Sequence, residues 1–259
     1  MRKGAFKAAL KKEWKESVRR YRVGILVTAF LIVGIISPVG AKLMPKVFEM
    51  MASKSKVQGI ELVFFREPGV EDALIQYHKN FGMLPILIAI LGMGLVAEEK
   101  TRRTVEFVLT KPISRSSFLL SKFSCFSGII LSGIITGFAT CLLYVYLLFA
   151  ELPLKRLFFL NLFFFIYLIA FISIIIFFNV LLKNTATVAI SGVGFYLLLI
   201  ILGSFPEISK FTPQGLYNFG AKIIKGNLDS SWTIPLISSL LLSLLFLWIS
   251  KIVFENQEI

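Results

Sequence analysis

The chain has 259 residues, of which 56% are hydrophobic and only 17% are charged, a composition that excludes an ordinary soluble domain and indicates a membrane-embedded unit. The net charge of +13 is typical of many nucleic-acid-binding proteins, but here Lys and Arg lie in flanks and loops beside apolar runs. In such positions basic residues orient membrane spans and contact anionic lipid headgroups, so nucleic acid is not an expected partner.

The first segment, residues 1–22, predicts an interfacial helix. It carries nine Lys or Arg residues, and its apolar residues recur every three or four positions, which places them on one stripe of a helix. This stripe consists of Phe6, Leu10, Trp14, Val18 and Tyr21. Basic amphipathic helices of this kind lie in the headgroup layer, so we expect Trp14, Arg19 and Arg20 to anchor the helix there. A plain orientation signal is a compatible alternative.

Six uncharged runs follow, and each is long enough to cross a hydrocarbon core of about 30 Å. They are residues 23–41, 81–97, 123–150, 157–182, 185–206 and 230–250. The sequence therefore predicts an all-α membrane protein with six transmembrane helices in a single domain over residues 1–259. Because the runs contain no Asp, Glu, Lys, Arg or His, they do not favour a secondary transporter, whose coupling groups sit at mid-membrane. The first run is also too long for the hydrophobic region of a cleaved signal peptide.

The distribution of basic residues predicts the orientation. The face that holds both termini carries 17 Lys and Arg, and the other face carries 11. By the positive-inside rule the richer face is cytoplasmic, so residues 42–80 and 207–229 form the external segments. In the second of these, Thr212 and Pro213 predict a helix start and Gly226 its end.

The third run contains small residues four positions apart, a spacing that lets helices approach closely. They are Ser124, Gly128, Ser132, Gly133 and Gly137. The spacing predicts either packing within the chain, which we favour, or a seam between two copies.

The stretch from Glu98 to Lys122, EEKTRRTVEFVLTKPISRSSFLLSK, interrupts the apolar pattern with nine charges. At about 2.5–3.5 kcal/mol for each charge at the bilayer centre, it cannot lie in lipid, so it must lie at a membrane face. Apolar residues at helical spacing predict an amphipathic helix from about Glu98 to Thr110. Pro112 ends it, and Ser114 is a suitable N-cap for the helix that enters the third span.

The order of residues in this stretch resembles the cytoplasmic coupling segment of type-2 ATP-binding-cassette (ABC) transporter permeases. The family pattern is acidic, then Gly-Thr, a leucine-rich turn, Pro-Val-Ser-Arg and Gly-Lys. The matching residues are Glu98 or Glu99, Thr104, Pro112, Ser114, Arg115 and Lys122. The chain departs from the pattern at Arg103, where glycine is common, and at Ser121, which precedes the lysine.

The resemblance implies an exporter in the cell membrane, with residues 1–22 as the elbow helix and a second permease copy as partner, in a homodimer or a heterodimer. It also implies that segment 207–229 is a re-entrant or lid element, although a surface amphipathic helix fits its sequence equally well. A separate P-loop ATPase, which binds ATP and Mg, would dock on the helix of residues 98–111. The implied contact residues are Glu98, Glu99, Arg102, Arg103, Thr104, Phe107 and Lys111, followed by a coupling turn at Pro112, Ser114 and Arg115.

The chain itself carries no motif for catalysis. It has no Gly-x-x-x-x-Gly-Lys-Ser/Thr sequence, so ATP bound through a P-loop requires another polypeptide. Cys125 and Cys141 lie too far apart on one helix for a disulfide, and with His78 as the single histidine we expect no metal site. We therefore expect no enzyme. A non-transporting membrane scaffold or assembly factor, or a secondary transporter, stays open as an alternative to the permease.

Overall fold

The computed structural model describes residues 3–54, 67–101 and 114–257, and within these ranges the chain folds into helices with no β-strand. The all-α prediction is therefore confirmed. In chain order the helices are α1 (Lys3–Arg19), α2 (Arg22–Lys54), α3 (Val70–Phe81), α4 (Leu84–Gly92), α5 (Ala97–Thr101), α6 (Arg115–Phe149), α7 (Leu154–Leu181), α8 (Thr185–Gly203), α9 (Pro206–Ser209), α10 (Gln214–Ile224) and α11 (Thr233–Glu255). A short 3-10 helix, Ser230–Trp232, precedes α11.

Six segments are long and apolar enough to cross a membrane, which confirms the predicted number of spans. They are Arg22–Val47, Val70–Thr101, Arg115–Phe149, Leu154–Leu181, Thr185–Gly203 and Ser230–Glu255. Most extend beyond the uncharged runs, because a helix continues after its side chains leave the hydrocarbon. Helix α2 passes through Pro38 and Pro45 and is described as far as Lys54, well beyond Lys42, the charged residue that follows the first uncharged run.

Helix α7 lies at the centre of the bundle and is the most extensively buried of the six spans. It contacts α6 and α11 along its length and also packs against α4, α8 and α10. Its phenylalanine side chains fill the spaces between these neighbours: Phe164 stacks on Phe81 of α3, and Phe163 contacts Phe219 of α10. The other extensive contact joins α2 to α6.

Small residues bring α2 and α6 together. A Cβ atom on Gly133 would lie 2.6 Å from the Phe30 ring, and one on Gly34 would lie 2.0 Å from the Thr140 hydroxyl, so neither position has room for a side chain. Gly128, in contrast, faces open space. Gly133 therefore serves packing within the chain, which is the alternative that the sequence analysis favours.

The second span is not one continuous helix. Its first break, at Gly82 and Met83, separates α3 from α4, and the hydroxyl of Tyr196 donates a hydrogen bond to the Gly82 carbonyl. The second break covers residues 93–96 and separates α4 from α5. An interrupted helix at membrane depth is tolerated where protein surrounds it, and each break is hydrogen-bonded to a side chain of another helix, the first to Tyr196 of α8 and the second to Asn179 of α7.

The segment after the fifth span forms the predicted helix, here α10 (Gln214–Ile224). Its apolar residues contact α7, α3 and α8 and are buried in the protein. Gly226 follows with φ = +81°, a left-handed conformation that favours glycine, and it lies beside the Arg156 guanidinium. The apolar face of α10 is therefore covered by this chain's own helices.

Helix α1 (Lys3–Arg19) forms as predicted, but it packs on the bundle with a face other than its apolar stripe. The buried positions are Ala9, Glu13 and Ser17, which are four residues apart. Trp14 and Tyr21 remain 45% and 76% exposed. Leu10 packs against the core, whereas the second half of the apolar stripe, Trp14, Val18 and Tyr21, faces outwards, and its location in a membrane interface stays a prediction.

Candidate functional site

One end of the bundle, which we call the polar end, brings together five chain segments that are distant in sequence. These are α1, α5, the start of α6, the end of α7 and the C-terminal end of α11. The segment that resembles a coupling helix therefore begins in the middle of this group, in contact with elements from both termini.

The centre of the polar end is the side chain of Lys122, in the third turn of α6, which is only 1% exposed. Its Nζ lies 3.0 Å from Glu13 Oε2 on α1 and 3.1 Å from Glu99 Oε1 on α5. A buried ammonium is tolerated only where opposite charges and hydrogen bonds replace its hydration. The two glutamates supply both, so Lys122 joins three helices through one atom.

Lys12 on α1 completes this cluster from its exposed side. Its Nζ lies 2.6 Å from Glu99 Oε1 and 3.2 Å from Glu13 Oε1. Burial lowers the pKa of Lys12, but the hydrogen bond to Glu99 and the charges of both glutamates outweigh that effect, so its pKa is raised above the usual value. Glu13, Glu99, Lys12 and Lys122 thus form a charge-balanced group, which we call the ion-pair cluster.

A second set of charges lies beside the ion-pair cluster. Arg20 pairs with Glu98, which precedes Glu99 on α5, and its guanidinium also lies 2.9 Å from Glu16 Oε1. Gly94, in the second break, has no room for a side chain without displacement, because its Cβ would lie 3.0 Å from a Glu98 carboxylate oxygen and 3.4 Å from the Arg22 guanidinium. The junction between α1 and α2 therefore packs directly on the junction between α4 and α5.

Three carboxylates in this region lie close enough to share a cation. Oxygens of Glu13, Glu16 and Glu99 come within 4.8 Å of one another. The ammonium groups of Lys12 and Lys122 already lie among these oxygens, and the Arg20 guanidinium pairs with Glu16. We therefore read the arrangement as a structural group of ion pairs and assign no metal to it.

The turn that leads into α6 is held at the same end. Ser114 is the N-cap of α6, as predicted, and its hydroxyl oxygen accepts a hydrogen bond from the Ser117 amide at 3.2 Å. Arg115 donates hydrogen bonds to the carbonyl oxygens of Phe254, Glu255 and Gln257 at distances of 2.6–3.0 Å. Arg115 therefore binds the carbonyl end of α11, where a cation is favoured by the helix dipole.

The structure describes some of the predicted site residues and not the others. Arg102, Arg103, Thr104, Phe107, Lys111 and Pro112 lie outside the described residues. Glu98 and Glu99 lie in α5, and both make ion pairs with neighbouring helices. Trp14 and Arg19 are exposed, whereas Arg20 is paired with two glutamates. The roles of all these residues in binding an ATPase or a membrane interface stay predictions.

The structure has six spans and a polar junction between the second and the third. A comparison with known protein families agrees with this architecture. The model of the ABC-2 family transporter proteins matches residues 8–258, nearly the whole chain. The chain belongs to the ABC-2 transporter family. Members of this family are the membrane components of transporters, are generally non-catalytic and work with an ATPase subunit. This ABC-2 chain is therefore a multi-pass membrane protein, and the cell membrane is its expected location.

The ABC-2 chain is also similar to a curated protein from Bacillus subtilis (strain 168), the uncharacterized transmembrane protein YxlG. The two are 25% identical over 150 residues, which is 58% of this chain and 57% of that protein. The matched part thus spans little more than half of that relative, and it assigns no cargo or partner to this member of the family.

Two residues of the ion-pair cluster, Lys12 and Glu13, were not singled out by the sequence analysis. Glu13 could have been noticed as one of the few acidic residues among nine basic ones, on the same helical face as Ala9 and Ser17. Lys122 was assigned to the membrane surface, but its side chain is enclosed by protein. The partners could not be read from the sequence, because Glu13 and Lys122 are 109 residues apart.

Proposed function

We propose that this chain is the permease subunit of an ABC exporter, driven by a separate ATPase that docks on residues 98–111 at the cytoplasmic face. In this proposal the polar end and both termini face the cytoplasm, and a second permease copy completes the transporter. Each permease then transmits the movement of one ATPase to its own spans. ATP and Mg bind in the partner and not in this chain.

The observation that carries the proposal is that the start of the docking segment is tied to other helices by ion pairs. Glu99 pairs with Lys12 and Lys122, and Glu98 pairs with Arg20. A displacement applied at residues 98–111 would therefore act on α1 and α6 as well as on the second span. A surface loop without such a function would need no ion pairs to α1, to Arg20 and to α6, the last of them made by two side chains that are at most 8% exposed.

The orientation is supported by the charge distribution. By sequence, the segments predicted on the face that holds both termini carry 17 of the 28 Lys and Arg residues, including those next to the first span, which weigh most in the positive-inside rule. The orientation is testable with Lys11→Cys at the polar end and Lys225→Cys at the opposite end, each in a chain whose two native cysteines are replaced by serine. We expect a membrane-impermeant maleimide to label position 225 in intact cells, and position 11 only after the membrane is opened.

The partner is testable by purifying the tagged chain from its own host in mild detergent and identifying any P-loop ATPase that accompanies it. The docking site is tested with the double variant Arg102→Glu and Arg103→Glu. We expect about tenfold weaker retention of the ATPase, equivalent to about 1.4 kcal/mol. The matched control is Lys11→Glu with Lys15→Glu, which makes the same charge change at two exposed positions of α1.

Three results would contradict the proposal. Recovery of the chain without any ATPase would favour a scaffold or assembly factor. Equal loss of the ATPase in the docking variant and in the control would mean that charge alone governs the association. Labelling of position 11 from outside the cell would place the docking segment on the wrong face of the membrane.

A further inference from the structure

The second break of the second span, at residues 93–96, separates the docking segment from the rest of its own span. Helix α4 ends at Gly92 and α5 begins at Ala97, so no continuous helix connects the outer part of this span to the segment that would bind the ATPase. Backbone N–H and C=O groups exposed by such a break need partners, because no water is present in the bilayer interior to replace them.

The side chain of Asn179, on the central helix α7, supplies these partners. Its Oδ1 accepts hydrogen bonds from the amides of Val96, at 3.0 Å, and Ala97, at 3.2 Å. Its Nδ2 donates to the carbonyl oxygens of Gly92 and Ile175, each at 2.9 Å. Asn179 is fully buried, and all the hydrogen-bonding positions of its amide are used. One side chain therefore holds both edges of the break.

Further hydrogen bonds attach α5 to the end of α7. The ammonium of Lys100 donates to the Val180 carbonyl, and the hydroxyl of Thr101 donates to the Lys183 carbonyl at 2.8 Å. On its other side α5 is held by the ion-pair cluster. Helix α5 thus lies between α6 and α7, and the Asn179 amide hydrogen-bonds both to its first residue and to the last residue of α4.

We propose that Asn179 is a positioning residue that transmits movement of the docking segment to α7. The inference rests on the proposed function. Force applied at residues 98–111 reaches α7 through the hydrogen bonds to Asn179 together with those of Lys100 and Thr101, and α7 then moves the helices packed around it. Asparagine suits this role because it accepts from two backbone amides and donates to two carbonyls without adding a charge. Leucine would offer none of these bonds, and aspartate would lack the donors.

The same helix provides a matched control in Asn161. This residue is also buried, its Nδ2 donates to the Leu157 carbonyl four residues earlier, and its Oδ1 accepts a hydrogen bond from the Tyr77 hydroxyl. Asn161 lies 18 positions from Asn179 in sequence and does not contact α5. Replacing it removes a buried amide from α7 but leaves the link to the docking segment intact.

The test compares Asn179→Ala with Asn161→Ala in the complete transporter with its ATPase, reconstituted in lipid nanodiscs. Spin labels replace Leu152 before α7 and Phe205 after α8, two exposed positions at the end opposite the polar end. The measurement is the change in the distance between the labels when ATP is trapped. We expect this change in the wild type and in Asn161→Ala, and its loss in Asn179→Ala, with ATPase retention and basal ATP hydrolysis unchanged.

Each other outcome overturns the inference in a distinguishable way. If the ATP-dependent distance change persists in Asn179→Ala, the role of Asn179 is refuted and the proposed function still stands. The same conclusion follows if the distance change is lost equally in Asn179→Ala and Asn161→Ala. Loss of the ATPase from Asn179→Ala alone would mean that the residue supports docking. A wild-type chain that has no ATPase partner refutes the proposed function and the inference with it.

If Asn179→Ala does not assemble, Asn179→Ser takes its place. A serine hydroxyl in a helix bonds the carbonyl three or four residues earlier, as Ser173 does with Ala170 on the same helix. The hydroxyl proton is then used locally, and because the shorter side chain is held against its own helix, the amides of Val96 and Ala97 lose their acceptor. The expected result is the same loss of the ATP-dependent distance change.

Discussion

Removing the ammonium of Lys122 tests the ion-pair cluster directly. The group lies 3.0 Å from Glu13 and 3.1 Å from Glu99. At an effective dielectric constant of about 20, each of these pairs attracts by about 5 kcal/mol before desolvation is subtracted. Removing one partner of a buried pair costs about 3–5 kcal/mol, because the remaining charge is left uncompensated. Since Lys12 still contacts both carboxylates, we expect Lys122→Met to cost about 3 kcal/mol, at the lower edge of that range.

The assay is the free energy of unfolding in mixed micelles as the fraction of SDS is increased, followed by tryptophan fluorescence. The control is Lys251→Met, which removes a half-exposed lysine of α11 whose Nζ lies 3.9 Å from Glu255 Oε1. Exposed pairs of this kind contribute little, so we expect a change below about 0.5 kcal/mol.

A second variant separates the ion pairs from the packing of the lysine side chain. When Lys122→Met is combined with Glu13→Gln, the remaining charges are those of Lys12 and Glu99, which balance each other. We therefore expect the double variant to be less destabilised than the sum of the single variants by about 2 kcal/mol. The ion-pair interpretation would be refuted if the two substitutions changed the free energy of unfolding additively. It would also be refuted if Lys122→Met destabilised the protein no more than the Lys251→Met control.

Two further substitutions test the packing of the bundle. Gly133→Ala places a Cβ 2.6 Å from the Phe30 ring, so α2 and α6 must separate, and we expect a loss of about 1–3 kcal/mol in the same SDS titration. Gly128→Ala, in open space, should be nearly neutral, and equal effects at the two positions would contradict the packing assignment. Arg156→Ala removes the contact with Glu71, at 3.6 Å, and the hydrogen bond to the carbonyl end of α10. Because these groups are partly exposed, we expect a global cost of about 1 kcal/mol or less. Hydrogen exchange should rise in α10 and not in α2, and a uniform rise would argue against this local role.

The six spans could be predicted because the bilayer sets the length of an apolar helix, and each uncharged run is interrupted only where the chain leaves the hydrocarbon. Local signals were also sufficient for the N-cap at Ser114 and for the helix that ends before Gly226. The helix ends were less predictable. Hydropathy locates the part of a helix that lies in lipid, whereas α2 continues past Lys42 and through Pro45 to Lys54.

The packing face of α1 could not be predicted from its hydrophobic pattern. The stripe that contains Trp14 and Val18 is about half exposed, and the helix instead buries Ala9, Glu13 and Ser17 against α6. A glutamate on a buried face contradicts the usual rule that charged side chains stay in solvent. It is allowed here because α6 provides a lysine at the matching height, a condition that depends on the tertiary fold and not on the local sequence.

The two ends of the described bundle differ in the kind of ion pair that holds them. At the polar end, Lys122 and its two glutamates are all at most 8% exposed. At the opposite end, the side chains of Lys222 and Asp229, whose charged atoms lie 2.9 Å apart, are each about half exposed. Exposed pairs contribute little and exchange readily with water, whereas buried ones resist separation.

This difference has a mechanical consequence. Contacts between apolar side chains tolerate small rotations and translations of helices, but a buried ion pair fixes the height and rotation of both partners. The polar end is therefore the stiffer part of the described bundle, and a force applied at α5 is transmitted through it with little local deformation. The opposite end carries more exposed and therefore weaker pairs, which under the proposed function are the ones that separate during transport. Under the proposed function, the stiff end is the one on which the ATPase acts.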